Sequence, residues 1–160
     1  NVGEAEAHLE EDVRKSLFTI HVAASGDAGD PVDQQGKKRM LDAAPKPPDA
    51  LPHWMTEEDL DYYVSAYNES GFRGGLNWYR NIPRFLSDTI ELKGKKIAQP
   101  AIFITGSKDP VRKMTGGRVG EEHFDDLRSV NVIEGPGHWV QLEATAETNR
   151  LILEFLKDFV

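Results

Sequence analysis

The sequence contains no cysteine, and no apolar run in it approaches the ~20 residues that cross a bilayer. The missing thiols exclude a disulfide framework, a thiolate nucleophile and a cysteine-based metal site. The five histidines include no closely spaced pair, and we expect neither a metal nor another cofactor. The missing membrane span and the 29% of charged residues indicate a soluble globular protein.

Clusters of basic residues and targeting signals are also missing. The 27 acidic and 19 basic residues give a net charge of −8, and lysine and arginine are scattered along the chain. Because no basic stripe could follow a phosphate backbone, nucleic acid is not an expected partner. The first residues, NVGEAEAHLEED, have neither the basic nor the apolar region of a signal peptide. They resemble a helix continuing from upstream sequence, and a cytoplasmic location is the default expectation.

The first third of the chain combines a helix with a long loop. From Ala5 to near Gly26, apolar residues recur at spacings of three and four, which predicts one amphipathic helix. Residues 26–53 are rich in proline, glycine, aspartate and lysine and show no sustained period. They therefore predict a surface loop.

The next segment predicts two helices separated by a proline. A helix is predicted over residues 56–70, because Thr56 begins a T-x-x-D capping box and an apolar stripe follows it. The sequence GLNWYRN predicts a short helix over residues 75–81. Pro83 should kink or end that helix at Tyr79, since a proline ring clashes with the carbonyl four residues back.

Beyond residue 93 the pattern becomes that of an α/β fold. The apolar runs at residues 101–105 and 130–133 predict two parallel strands buried on both faces, with a helix over residues 119–128 between them. In the last helix, one stripe should cover the sheet: Ile152, Phe155, Leu156 and Phe159. Two parallel strands do not stand alone, so we expect the other strands to come from upstream sequence.

Two residues that could carry chemistry follow the two predicted strands. Asp109 comes four residues after the first strand, and His138 comes five residues after the second. Because the carboxyl ends of parallel strands meet at one rim of the sheet, both side chains should lie there. A carboxylate can orient an imidazole and stabilise its charged form, which leaves the other nitrogen free to take a proton. A competing interpretation of Asp109, which precedes Pro110, is a turn cap.

Several motifs together resemble one enzyme family. The sequence GSKDPV is followed, 29 residues after its aspartate, by GHW and then by VQLEATAETNRLILEFL. These segments resemble the acid loop, the catalytic histidine and the final helix of epoxide hydrolases in the α/β-hydrolase superfamily. Residues 56–81, which include N-W-Y-R-N, are similar to the lid of the soluble epoxide hydrolases. The resemblance implies an α/β-hydrolase fold, with residues 1–92 as the helical lid and residues 93–160 as the C-terminal part of the core.

The resemblance also implies roles for individual residues. Asp109 would be the acid of a catalytic triad, His138 the base that activates water, and Tyr79 one of two lid tyrosines that bind the epoxide oxygen. Apart from the resemblance, we expect Trp139 to line the substrate pocket or to serve as a packing residue. The nucleophilic aspartate and the other tyrosine are absent from the chain, so an upstream core is an expected partner. The substrate would be a small epoxide, and the product would be a vicinal diol.

Three other functions remain open at this stage. Haloalkane and haloacid dehalogenases share the fold, the triad and the helical lid, whereas an esterase would carry serine as the nucleophile. A hydrolase-fold protein without activity could use the same pocket to bind a ligand. The N-W-Y-R-N motif favours the epoxide interpretation, and the residue at the upstream nucleophile elbow would separate these functions.

Overall fold

The computed structural model describes residues 2–29, 40–118 and 120–159. Its α-helices are α1 (Glu4–Glu10), α2 (Val13–Ala24), α3 (Met40–Ala43), α4 (Glu57–Ser70), α5 (Arg73–Arg80), α6 (Ile82–Asp88), α7 (Pro110–Met114), α8 (Val140–Glu143) and α9 (Thr145–Leu156). Short 3₁₀ helices cover Ile90–Leu92, Glu121–His123 and Lys157–Phe159, and the strands are β1 (Ala101–Gly106) and β2 (Leu127–Ile133).

The chain forms two compact units. The first contains Asn1–Ala23 with Gly29–Lys93, and the second contains Ala24–Ala28 with Gly94–Val160. The second unit thus includes a short segment from the first half of the sequence, which the sequence pattern did not predict. None of the described helices has both the length and the apolarity that crossing a membrane requires.

The first unit packs its helices around a small apolar core made of Leu9, Leu17, Met55, Leu60 and Phe72. The helix predicted over residues 56–70 is confirmed as α4. The Thr56 hydroxyl accepts the Asp59 N–H at 3.1 Å, and the Asp59 carboxylate accepts the Thr56 N–H at 2.9 Å. This reciprocal capping box fixes the first turn of the helix.

The prediction of one helix from Ala5 to near Gly26 is wrong, because the structure divides this segment into α1 and α2. The cause is Asp12, whose side chain accepts the N–H of Lys15 at 2.9 Å. That bond satisfies a free N–H in the first turn of a new helix, as an N-cap residue does. In the predicted loop, residues 40–43 form α3, and residues 30–39 lie outside the described residues.

The break expected before Pro83 occurs one residue later than predicted. Helix α5 ends at Arg80, and α6 starts at Ile82 with the proline in its first turn. Proline is tolerated there because its missing N–H would have no partner in the helix. Tyr79 therefore lies in the last turn of α5.

The second unit contains a parallel pair of strands, as predicted. Their register aligns Ile102 with Ser129 and Gly106 with Ile133, with an irregularity next to Ala101. The helix predicted over residues 119–128 is wrong. The described part of this segment has only the short 3₁₀ turn, and β2 already begins at Leu127.

The predicted burial of the sheet on both faces is not found among the described residues. Val130 and Val132, which share one face of β2, are 39% and 43% exposed. The expected covering stripe of the last helix is exposed as well, with Ile152 at 39% and Leu156 at 44%. Within the described residues each strand pairs only with the other, so each has one outer edge without a strand partner.

Candidate active site

Asp109 lies just beyond the carboxyl end of β1 and is almost completely buried, at 9% exposure. One carboxylate oxygen accepts the Val111 N–H at 2.8 Å, so Asp109 is the N-cap of α7. Both oxygens also lie 3.2 Å from Nδ1 of His138. The capping interpretation and the contact with histidine are therefore both correct, because one carboxylate has enough acceptor sites for both partners.

His138 lies beyond the carboxyl end of β2, and its side chain is 41% exposed. Because a carboxylate can only accept a hydrogen bond, Nδ1 is assigned as the protonated nitrogen. In that tautomer Nε2 carries a lone pair and can take a proton from water or a hydroxyl group. The predicted contact between Asp109 and His138 is present, and the arrangement is suited to general base chemistry.

The loop that carries His138 is held by hydrogen bonds from several directions. The His138 N–H donates to the Ala24 carbonyl at 2.8 Å. The Lys108 N–H donates to the Pro136 carbonyl at 3.0 Å, which joins the histidine loop to the loop of Asp109. The Lys108 ammonium group donates to the Gly26 carbonyl at 3.0 Å. Residues 24–28 thus connect the loops at the ends of both strands.

Two glycines allow these backbones to approach each other closely. A Cβ atom at Gly106 would lie 2.2 Å from the Pro136 carbonyl oxygen, and one at Gly137 would lie 2.5 Å from the Ala24 carbonyl oxygen. Real Cβ atoms essentially never come so near to a backbone oxygen. A side chain at Gly106 would push the loops of Asp109 and His138 apart, and one at Gly137 would push the histidine loop away from residues 24–26.

Trp139, predicted to line the substrate pocket, is half-buried beside His138. The two rings make an edge contact with centroids 5.1 Å apart. Such a contact restricts the rotation of the imidazole, because the indole occupies the space next to it.

Tyr79 belongs to the first unit and is 70% exposed at the end of α5. Its neighbour Arg80 anchors that helix to α1 through a two-pronged ion pair with Glu6, with N–O distances of 2.6 and 2.8 Å. The Arg80 hydrogen bonds lower the pKa of the Glu6 carboxyl to about 2. Glu6 also accepts the Gly3 N–H at 2.9 Å, so the first turn of α1 contributes to the same contact.

Sequence reasoning missed three parts of this arrangement. It gave no role to residues 24–28, to the Glu6–Arg80 pair or to Glu143, whose carboxylate accepts hydrogen bonds from the histidine loop. Arg80 belongs to N-W-Y-R-N, and Glu143 belongs to the segment that follows GHW. Both motifs could have directed attention to these residues, although neither pattern identifies their partners.

A relative among known proteins points to one enzyme family. Over 96% of this chain, the sequence is 38% identical to Epoxide hydrolase A of Mycobacterium tuberculosis, and the match covers 49% of that protein. A search of protein-family models gives no match.

Solved structures agree with that relative. The crystal structure of Epoxide Hydrolase A from Mycobacterium thermoresistibile matches 98% of the chain with a TM-score of 0.86 at 35% identity, over 50% of its own length. An epoxide hydrolase from an endophytic Streptomyces matches 98% of the chain with a TM-score of 0.88 at 33% identity, over 49% of its length. In sequence and in fold, the chain corresponds to about half of an epoxide hydrolase. Its fold is that of the α/β-hydrolases to which these enzymes belong.

The chain spans about half the length of these epoxide hydrolases. The two strands and the helices around them accordingly represent part of the sheet architecture of the family. A part of a larger sheet is expected to have open strand edges and exposed apolar residues, and the two-stranded sheet of this chain has both.

Proposed function

We propose that the protein hydrolyses an epoxide to a vicinal diol, that residues 1–92 are its helical lid segment, and that residues 93–160 are the C-terminal part of its core. The contact between Asp109 and His138 carries the proposal, because it orients a base in a chain whose relatives are epoxide hydrolases. An upstream core would complete the sheet and supply a nucleophilic aspartate and a second lid tyrosine.

In the first step, an oxygen of the upstream aspartate attacks one epoxide carbon. The bond between that carbon and the epoxide oxygen breaks, and an alkyl-enzyme ester forms. The hydroxyl of Tyr79 donates a hydrogen bond to the epoxide oxygen and stabilises the negative charge that develops there. Trp139, next to the imidazole, provides an apolar wall for the substrate.

In the second step, Nε2 of His138 takes a proton from water while the water oxygen attacks the ester carbonyl. Asp109 stabilises the imidazolium that results. When the tetrahedral intermediate collapses, the bond to the ester alkoxide breaks and this alkoxide takes the proton from His138. The other proton of the water passes, directly or through solvent, to the alkoxide left by ring opening, which restores the aspartate as a carboxylate. The reaction therefore consumes one epoxide and one water and gives one diol.

Isotope labelling tests this sequence directly. The experiment uses the native protein, meaning the whole protein that contains this chain and the proposed upstream core. In a single turnover in ¹⁸O-water, the diol should contain no label, because its new oxygen comes from the aspartate. Repeated turnover should introduce one labelled oxygen. Label in the first-turnover diol would contradict an ester intermediate.

The alternative functions predict different products. Release of halide from a halogenated substrate, without diol formation from an epoxide, would indicate a dehalogenase. Cleavage of an ester substrate would indicate an esterase, and ligand binding without turnover would indicate a non-catalytic protein.

A further inference from the structure

We infer that Glu143 is a positioning residue that fixes the backbone around His138, an inference that rests on the proposed base role of His138. Glu143 ends the short helix α8, which starts directly after Trp139. Its carboxylate accepts three backbone N–H groups: Gly26 at 2.7 Å, Gly137 at 2.9 Å and Trp139 at 3.1 Å.

These bonds enclose His138 on both sides. Glu143 accepts the N–H groups of the residues immediately before and after His138, and the N–H of His138 itself donates to Ala24. Three consecutive peptide groups are therefore held, which sets the direction in which the histidine side chain leaves the backbone. That direction brings Nδ1 to 3.2 Å from both oxygens of Asp109.

The third bond connects the histidine loop to a distant part of the sequence. Gly26 lies 117 residues from Glu143, and its carbonyl accepts the Lys108 ammonium group next to Asp109. One carboxylate thus joins the histidine loop to residues 24–28, which in turn bond to the acid loop. Both members of the Asp109–His138 pair share this support.

The chemistry of the contact requires a carboxylate. Three N–H donors converge on two oxygens, and an ionised carboxylate offers about four acceptor sites without any donor of its own. Charge-assisted bonds of this kind are roughly twice as strong as neutral ones. A glutamine would present an amide N–H₂ group to at least one of the three donors, whereas an aspartate would keep the charge but reach one methylene less far.

The test compares Glu143→Gln and Glu143→Asp with Glu134→Gln in the native protein. Glu134 is exposed at the start of the loop that carries His138, so Glu134→Gln makes the same change in charge near the histidine. The N–H groups of Gly26, Gly137 and Trp139 donate to Glu143 instead. Rapid mixing with an epoxide measures the rate of ester formation and the amplitude of the burst, which counts the active sites that form the ester. The steady-state rate divided by that number gives the turnover per burst site. We expect Glu143→Gln to slow ester hydrolysis by roughly 10- to 100-fold with ester formation nearly unchanged. Glu143→Asp should have a smaller effect, and Glu134→Gln none.

A purely structural role would have a different signature. If Glu143 only stabilised the fold, Glu143→Gln would lower the melting temperature and the burst amplitude, but turnover per burst site would equal that of the wild type. That result would overturn the inference. Equal losses for Glu143→Gln and Glu134→Gln would overturn it too, because the effect would then follow from charge alone.

A second readout separates this inference from the proposed function. If the wild-type protein forms no diol, the proposed function fails, but the position of His138 can still be measured by NMR. In Glu143→Gln, the amide protons of Gly137 and Trp139 should exchange faster with solvent, and the His138 ring signals should shift. Unchanged exchange and unchanged ring signals would overturn the positioning role whatever reaction the protein catalyses.

Discussion

At the scale of single residues, Asp109 shows how a structural contact can serve a chemical one. The N–H of Val111 fixes one oxygen of the carboxylate from the side of α7, and Nδ1 of His138 approaches both oxygens. Because the helix cap holds the carboxylate, the histidine meets an acceptor that does not need to reorganise during the reaction. Such preorganisation is a main source of electrostatic stabilisation in active sites.

Substitutions at the two proposed catalytic side chains should separate the two half-reactions. His138→Gln removes the base for water, so the ester should form at nearly the normal rate and then persist. Tyr79→Phe removes one hydroxyl and keeps the ring, so ester formation should slow by about 10-fold or somewhat more, within the usual range of acid catalysis. Rapid-quench measurement of the covalent ester distinguishes the two effects.

Exposed residues of the same types provide the controls. His123 is 67% exposed and Tyr62 is 74% exposed, so His123→Gln and Tyr62→Phe should leave both half-reactions unchanged. Full diol production by His138→Gln would exclude it as the base. Unchanged ester formation by Tyr79→Phe would leave that tyrosine without a role in ring opening.

The sequence was sufficient to predict the contact between Asp109 and His138, and it was insufficient for Glu143. The first depends on one rule, that residues after parallel strands gather at one rim of the sheet. The second depends on three backbone N–H groups, one of them 117 residues away. In sequence, Glu143 resembles any surface glutamate of a helix, since backbone donors leave no mark on residue type.

At the scale of elements, the Glu6–Arg80 pair connects the first helix of the chain to the helix that carries Tyr79. Hydrogen bonds from Arg80 hold the pKa of Glu6 at about 2, against an ordinary value of 4.5. The folded protein therefore binds fewer protons at this site than the unfolded chain between these two values. The stabilisation is fully present above about pH 4.5 and is lost as the pH falls through about 2.

Replacing Glu6 should remove this pH dependence. We expect Glu6→Gln to lower the free energy of unfolding at pH 6. The difference in free energy of unfolding between the variant and the wild type should become smaller as the pH falls towards 2. Urea unfolding of the native protein at several pH values measures both effects. Glu69→Gln, at an exposed position in α4, is the control. A constant difference between Glu6→Gln and the wild type across this range would show that the ion pair does not stabilise the protein.

Elements were predictable where several local signals agreed. Helix α4 has a capping box, an apolar stripe and a C-terminal glycine, and its boundaries match the prediction within one residue. The polar segment before β2 offered only a weak helical pattern, and pairing with β1 extends the strand back to Leu127. Strand pairing depends on a partner more than 20 residues away, which a local pattern does not register.

At the scale of the whole molecule, the exposed face of β2 bears on the upstream core that we propose. Val130 and Val132 lie on one face of the strand and are 39% and 43% exposed. Valine favours strands that pack on at least one face, and the chain spans about half the length of its relatives. The proposed upstream core would cover this face as well as an open edge of the sheet.

A charge on that face should therefore destabilise the native protein although it does not clash within this chain. If the upstream core buries Val132, the ammonium group of Val132→Lys loses its hydration without gaining a partner, which costs about 3 kcal/mol or more. Tyr62→Lys, at an exposed site on α4, should change the stability by no more than about 0.5 kcal/mol. Thermal and urea unfolding of the two native-protein variants give this comparison. Equal stability of Val132→Lys and the wild type would mean that this face of β2 is in contact with water, and the proposed upstream core would then not complete the sheet there.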